Sequence, residues 1–274
     1  MHHDFETPEH VELQIRLPSG DVTVKTHDEP RTEVEVVARG RRGDEALEQI
    51  VVESHERPGG HVVSIEQEDR IRWGPIAISW GGSIEVRVTC PHGTDVEFNG
   101  ASADLSALGS YGKVAAKTAS GDLRLGELGA AVIKTASGDV SIQSVSADSQ
   151  LQTVSGDLEI ERLDAGLAGR TVSGDVELGS VRGAVTLGTT SGDVSIKTVE
   201  TGEVRIQTVS GDVRVGVAPG TPVWMDAVSV SGDLRSDLGE VGDAPPDDAE
   251  VVPLHVKTVS GDVSFVRGAA VAAG

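Results

Sequence analysis

Eight aspartates at near-regular intervals are the residues of this sequence whose type and spacing could do chemistry. Each ends a Ser-Gly-Asp tripeptide, and successive tripeptides begin 17, 18, 18, 18, 19, 21 and 29 residues apart. Stacked carboxylates can bind calcium, and carboxylates about 5 Å apart can hydrolyse a glycosidic bond. The eight are Asp122, Asp139, Asp157, Asp175, Asp193, Asp212, Asp233 and Asp262.

Calcium is the weaker interpretation of this ladder. Its five central members would be the ligands: Asp139, Asp157, Asp175, Asp193 and Asp212. Each turn offers one carboxylate and one serine hydroxyl, whereas calcium takes about six to eight oxygens. Aspartate and serine also bond the backbone of tight turns, so we favour a structural role and predict no metal and no cofactor.

Catalysis meets a similar objection. Carboxylates on every pair of neighbouring repeats would qualify as a glycosidase pair, but catalysis needs one site whose surroundings separate the two pKa values. A Ser-His-Asp triad has at most one candidate base among the repeats, because His255 is the only histidine after His92. We therefore predict no catalytic residue.

The repeats predict the element that positions these aspartates. Each period holds two short runs with apolar residues at alternate positions, for example 194–199 and 204–209. A turn that recurs in phase with identical neighbours favours stacked parallel coils over an antiparallel meander. We predict an all-β parallel β-solenoid of about 18 residues per coil. Strict alternation would point Thr208 inward and Val209 outward, whereas a bulge at the corner would invert them.

The chain is predicted to form one continuous elongated domain with two regions. Residues 99–274 carry the repeats, and the Pro-Pro-Asp-Asp run in 237–250 reads as a loop insertion beyond which the stack continues. Residues 1–98 are predicted to form a less regular β-region that caps the first coil, with a short helix near 44–53. This region also holds a first Ser-Gly-Asp, at Ser19, outside the regular spacing.

Composition limits the partners and the compartment. A formal net charge of −21 argues against nucleic acid and anionic membranes. No apolar run is long enough to span a bilayer, and Cys90 is the only cysteine. The first residues show no secretory signal pattern, so we predict a cytoplasmic protein, or a cell-surface one if it is exported by another route.

Tryptophans are the candidate partner-binding residues. Trp73 and Trp80 form the one aromatic cluster, which we expect to plug the mouth of the solenoid. Trp224 lies in a stretched repeat close to the insertion. These irregular places, rather than the uniform faces, are where we expect a partner to bind.

Several segments resemble bacterial putative-adhesin domains of unknown function, which are described as β-strand repeat proteins. The resemblance lies in Ile84-Glu-Val-Arg-Val-Thr, Asp95-Val-Glu-Phe-Asn-Gly-Ala-Ser-Ala-Asp-Leu, the Thr-Val-Ser-Gly-Asp-Val copies and the opening from Phe5. It implies a right-handed β-helix-like fold and no established catalytic residues.

Three functions follow as hypotheses. The preferred one is a non-enzymatic, adhesin-like interaction scaffold with an unknown protein or glycan partner. The alternatives are a carbohydrate-active β-helix enzyme and a structural rod that self-associates end to end or by its edges.

Overall fold

Parallel β-strands dominate the structure, a computed structural model that describes residues 1–39, 47–67, 83–238 and 251–268. These residues contain 21 strands, and their contacts divide the chain into two units, Met1–Asp139 and Val140–Gly274. Among the described residues no helix has the length and apolar character that crossing a bilayer requires. The predicted all-β parallel solenoid is confirmed.

The first unit is built around one long strand, β2. Its eight strands are β1 (His2–Glu6), β2 (Val11–His27), β3 (Arg31–Arg39), β4 (Ile50–Arg57), β5 (Gly60–Gln67), β6 (Ser83–Pro91), β7 (Asp95–Thr118) and β8 (Leu123–Thr135). β2 pairs in parallel with β5 and β6 on one side and with β7 on the other, and β8 follows β7. The predicted domain boundary at residue 98 falls inside β7 and stays a prediction.

Antiparallel strands end the parallel stacking of this unit. β3 pairs antiparallel with β6 and β1 with β3, while β4 pairs antiparallel with β5. The cap that the sequence predicts for residues 1–98 stays a prediction. The helix expected near 44–53 is wrong for residues 50–53, which belong to β4; Leu47 is helical, and residues 44–46 lie outside the described residues.

The first Ser-Gly-Asp belongs to the same stack, although it lies outside the regular spacing of the sequence. Ser19 pairs with Ser102, and Asp21 with Asp104 of the degenerate repeat. The intervening residues, 28–94, contribute β3 to β6 before the chain returns to cover β2.

The second unit consists of short strands in two parallel rows. Its thirteen strands are β9 (Val140–Val145), β10 (Ser149–Gln152), β11 (Leu158–Leu163), β12 (Leu167–Arg170), β13 (Val176–Val181), β14 (Val185–Gly188), β15 (Val194–Val199), β16 (Val204–Gln207), β17 (Val213–Val217), β18 (Val223–Ser231), β19 (Leu234–Ser236), β20 (Val252–Ser260) and β21 (Val263–Arg267). Val176 pairs with Val194, so one coil takes 18 residues as predicted.

The last two coils stack out of sequence order. β20 lies between β16 and β18, and β21 lies between β17 and β19. The sequence led us to expect the last repeat to continue the stack beyond the insertion, and that order is wrong. Residues 252–267 instead fill the layer before the end, and the coil of 223–236 is terminal. Of the insertion 237–250, only Asp237 and Leu238 are described.

A narrow aliphatic core runs between the rows of the second unit. Like residues lie above like residues, for example Ile142, Ile160 and Leu178, each almost fully buried. Burying one such side chain contributes about 1.5–3 kcal/mol. The inward positions are thereby committed to stability, and any binding chemistry must lie at the corners, on the outer faces or at the ends.

Candidate functional site

The corners place threonine inside and valine outside. Thr208 is 5% exposed and Val209 is 50% exposed, and the pairs Thr153-Val154, Thr171-Val172 and Thr258-Val259 repeat the pattern. Of the two orientations left open by the sequence, the structure therefore has strict alternation. The threonine hydroxyls lie at the edge of the core, where they can meet the backbone of the turn.

In the earlier corners this threonine caps the turn. The hydroxyl oxygens of Thr118, Thr135 and Thr153 accept the N–H of the glycine three residues later, at 3.0–3.1 Å. Serine and aspartate, which the sequence suggested as partners of the turn backbone, do not make this particular contact; the aspartates bond the backbone of the neighbouring corner instead. Threonine is favoured because its inward hydroxyl satisfies a buried donor that would otherwise lack a partner.

Later corners use a different geometry. Gly192 and Gly211 have φ of +140° and +135°, and their N–H groups donate to the carbonyl of the next serine in the stack at 3.2 and 3.1 Å. The hydroxyls of Thr171, Thr189 and Thr258 consequently have no hydrogen-bond partner among the described residues. A positive φ explains these glycines, since other residues rarely adopt it.

The earlier glycines have another reason to be glycine. Gly121 and Gly138 do not have a positive φ, but a Cβ on either would collide with the carbonyl oxygen of the residue stacked beneath it, Ala103 or Gly121. A positive φ therefore accounts for the glycines of the later corners and for Gly20 of the first Ser-Gly-Asp, at +127°, but not for Gly121 and Gly138. Close stacking of backbone on backbone accounts for the others.

The aspartates form a ladder from coil to coil. In the first unit, Oδ1 of Asp104 accepts the backbone N–H of Asp122, and Oδ1 of Asp122 that of Asp139, at 2.9 and 3.1 Å. The same bond, at 2.8–2.9 Å, links each aspartate of the second unit to the next, in the spatial order Asp157, Asp175, Asp193, Asp212, Asp262 and Asp233.

This ladder leaves little of each carboxylate for a ligand. One oxygen of each bonded aspartate is directed at the neighbouring backbone rather than at a shared point between coils. Within the described ranges no three His, Cys, Asp or Glu side chains are placed to hold a metal ion. The ladder can therefore be explained by structure alone, and the calcium hypothesis gains nothing from its geometry.

His255, the one candidate base of the repeats, lies among charged groups of the last coils. Its Nε2 is 3.5 Å from Glu203 and its Nδ1 is 3.6 Å from Asp226, while the Trp224 indole meets its ring edge-on at 5.1 Å between centroids. Arg205 binds Glu203 in turn. These contacts place one carboxylate near each ring nitrogen of His255, and no described nucleophile donates a hydrogen bond to the ring.

An open groove of about 540 Å³ lies on the first unit. Its charged lining includes Lys25, Glu33, Glu35 and Arg87. The hydrogen bond to Glu85, strengthened by Glu35, raises the pKa of the Arg87 guanidinium. Arg87 pairs there with Glu35, while Glu33 pairs with Arg31, and ion pairs at such an exposed surface contribute little.

The terminal coil carries the largest break in the regular pattern. Five large apolar side chains are exposed there, and we call them the terminal patch: Trp224, Met225, Val228, Val230 and Leu234. Trp224 is 53% and Val230 77% exposed. Among the described residues, β18 pairs with β20 on one edge and with no strand on the other. Trp73 and Trp80, the other candidates, lie outside the described residues.

Stacked parallel coils with a corner ladder define a β-solenoid protein of the repeat class. The chain belongs to the Toastrack DUF4097 family, whose model matches residues 10–266. The resemblance seen in the sequence is thus confirmed, for a family of unknown function. None of the curated proteins matches the chain.

Solved structures similar to this chain share little sequence with it. A putative adhesin from Parabacteroides distasonis is 12% identical, with 97% of this chain and 96% of that chain covered and a TM-score of 0.42. A putative adhesin from Parabacteroides merdae is 11% identical over the same shares, at 0.41. A putative lipid binding protein from Parabacteroides distasonis is 10% identical over the same shares, at 0.38. At these values the likeness indicates neither a shared ligand nor a shared function.

Proposed function

We propose that this protein is a non-enzymatic interaction scaffold, adhesin-like in the broad sense, that binds a protein or glycan partner through the terminal patch. The observation that carries this proposal is the concentration of exposed apolar side chains on one coil. Eleven large hydrophobic residues are exposed in the described part of the chain, and five of them lie within residues 224–234. Exposed apolar side chains that gather on one coil are typical of interaction sites in soluble proteins.

The composition of the patch supports recognition. Trp224 offers a large flat surface with a polar N–H, which suits both protein and sugar partners. Asp226, 44% exposed at its side chain, lies between Trp224 and Val228 on the outward face of β18, and Arg235 lies on β19, so charged groups accompany the apolar ones.

No specific observation favours either alternative, the carbohydrate-active enzyme or the self-associating rod. The carboxylates that a carbohydrate-active enzyme would use are bonded alike from coil to coil, so none is distinguished as an acid or a base. A rod that grows end to end needs two matching open ends. The parallel stack of the first unit instead finishes in antiparallel strands.

Site-specific photo-crosslinking in native lysate tests the proposal. A photoreactive residue at Val230 should give a discrete adduct, while the same residue at Val172, an exposed valine of a regular corner, should give none. Trp224→Ala should abolish the Val230 adduct. Equal labelling from both positions, or product formation from any polysaccharide, would refute the function as proposed.

The cytoplasm remains the compartment that we propose. Fractionation of cells that express the full-length gene, with detection by antibody, tests it directly; recovery at the cell surface would contradict it.

A further inference from the structure

The free edge of β18 exposes backbone groups that every earlier coil uses for stacking. Inward residues donate their N–H to the next coil: Val185 to the carbonyl of Glu203 at 2.8 Å, and Thr189 to that of Gln207 at 2.9 Å. The register places Met225 and Ser229 at the corresponding positions of β18. Their N–H groups, and that of Ala227 between them, face the edge that no described strand covers.

The side-chain ladder ends on the same side. Oδ1 of Asp212 accepts the N–H of Asp262, and Oδ1 of Asp262 accepts that of Asp233, both at 2.8 Å. Asp233 is the last member, and its Oδ2 binds Arg235 at 2.8 Å. Its Oδ1 has no hydrogen-bond partner in the described part of the chain. A backbone N–H is what fills this position in the coils before it.

We propose that an extended segment of a partner protein adds to β18 as a further parallel strand, which deepens the proposed function and rests on it. Unpaired strand edges are common templates for such addition. The chain itself shows the geometry, because β20 covers β16 in the same way, with Val252, Leu254 and Val256 buried at alternate positions. The partner segment therefore carries aliphatic residues at alternate positions, to cover Met225 and Ala227.

The negative charge of the terminal coil favours a basic partner segment. Asp226, Asp233 and Asp237 lie on the terminal coil against a single cation, Arg235. The whole chain carries −21, so long-range forces attract a basic partner and repel a second copy of the chain. Each basic side chain on the outer face of the added strand would lie beside these carboxylates. Binding should therefore weaken as salt rises.

Ala227→Pro is the variant that separates strand addition from other modes of binding. Proline removes one N–H, the one directed at the free edge, and proline is tolerated on edge strands. The bonds from β18 to β20 use the groups of Asp226 and Val228 and remain. Ala227→Val is the matched control, because it keeps the N–H and suits a strand. Unchanged thermal unfolding of both variants establishes that they fold.

The probe is a blocked synthetic peptide with the sequence of residues 251–268, which already stacks on a coil in this protein. Lys257 and Arg267 against Asp262 give it a net charge of +1 (2 − 1). Saturable binding to the full chain is expected, at least tenfold weaker to Ala227→Pro and unchanged for Ala227→Val. Hydrogen exchange should show protection of the β18 amides by the peptide.

Three results of the binding and association measurements would overturn the proposal. They are no binding up to about 1 mM, which corresponds to about −4 kcal/mol, equal binding by Ala227→Pro, and a wild-type dimer that Ala227→Pro converts to a monomer. The last would make a second copy the occupant. A Val230 crosslink that survives in Ala227→Pro would refute strand addition but preserve the scaffold function. Absence of the Val230 crosslink from the chain without Ala227→Pro would refute the proposed scaffold function as well.

Discussion

The backbone N–H of Asp262 donates to Oδ1 of Asp212 at 2.8 Å, across 50 residues of sequence. The aspartate that follows Asp212 in the repeat sequence, Asp233, bonds to Asp262 instead. The second-last layer of the stack is therefore supplied by the last strands of the chain. The terminal coil is attached to the described coils below it through β20 and β21.

This attachment predicts that a destabilising substitution in β21 will also destabilise the terminal coil, although the sequence of that coil is unchanged. Phe265 is almost fully buried, and its strand lies between β17 and β19. Phe265→Ala should cost about 3–5 kcal/mol. Hydrogen exchange should accelerate in β18 and β19 as well as in β21. Faster exchange confined to β21 would contradict the coupling, and Val266→Ala, at an outward position of the same strand, is the control.

Two threonines at equivalent corners should respond differently to the same change. Thr153 accepts the N–H of Gly156 at 3.1 Å, whereas the buried hydroxyl of Thr171 has no described partner. Thr153→Val should destabilise the protein by about 1–2 kcal/mol, because it leaves a donor unpaired. Thr171→Val should be neutral or stabilising. Urea unfolding measures both, and equal effects would mean that the two corner geometries do not differ in energy.

The aspartate ladder predicts a ranking of substitutions at Asp193. Its Oδ1 accepts the N–H of Asp212 at 2.8 Å. Asp193→Ala removes the acceptor and should cost about 1 kcal/mol at this exposed corner. Asp193→Asn keeps an acceptor and removes one of a row of like charges, so it should cost less. If alanine and asparagine unfold at the same urea concentration, the hydrogen bond contributes nothing.

Calcium should not alter stability. The five candidate ligands Asp139, Asp157, Asp175, Asp193 and Asp212 lie on a ladder whose geometry is set by backbone bonds. After chelation, adding millimolar calcium should leave the melting temperature unchanged, with magnesium as the control for ionic strength. A rise specific to calcium would restore the metal hypothesis.

Alkaline pH should destabilise the first unit through Cys90. Desolvation by burial raises the pKa of this thiol to about 11. An unfolded chain releases the proton near pH 9, whereas the folded chain retains it, so stability present below pH 9 is lost as pH rises towards 11. Two pKa units correspond to about 3 kcal/mol. Urea unfolding from pH 8 to 11 measures the slope.

Cys90→Ala is the variant that tests this assignment. It should be less stable at pH 8 because of the missing side chain, but its stability should fall less steeply above pH 9. The stability of the variant should still fall somewhat with rising pH, because desolvation also raises the pKa of Tyr111. The Tyr111 hydroxyl donates to the carbonyl of Val24 at 2.9 Å. An unchanged slope in the variant would exclude the thiol as its source.

Periodicity predicted the class of fold because the same alternation of apolar residues and the same turn recur about every 18 residues. Alternation at 194–199 and 204–209 identified two strands per coil, and both exist as β15 and β16. The orientation of Thr208 and Val209 could not be decided, because the pattern allowed a corner bulge. It was settled by three-dimensional packing, in which the threonine side chain lies inward.

The order of the last coils could not be read from the sequence. Repeats at Ser231 and Ser260 are chemically alike, so local pattern does not say which stacks on Ser210; the structure pairs Ser210 with Ser260. The amino-acid sequence did contain a signal for the terminal patch. Val228 occupies the outward position where the coils below it carry Lys257 and Gln207, and Trp224 lies beside Pro253 on the same face. Apolar residues on both faces of one strand indicated a surface unlike the rest.

The position of β20 and β21 also has a consequence for how the protein is made. A ribosome delivers residues 223–236 before residues 252–267, yet the earlier segment pairs with the later one and with no other described coil. Every coil from β9 to β17 can add as it emerges, whereas the terminal coil must wait, unpaired, for strands that are synthesised after it. Translation order and stacking order therefore agree along most of the second unit and differ in its last two layers.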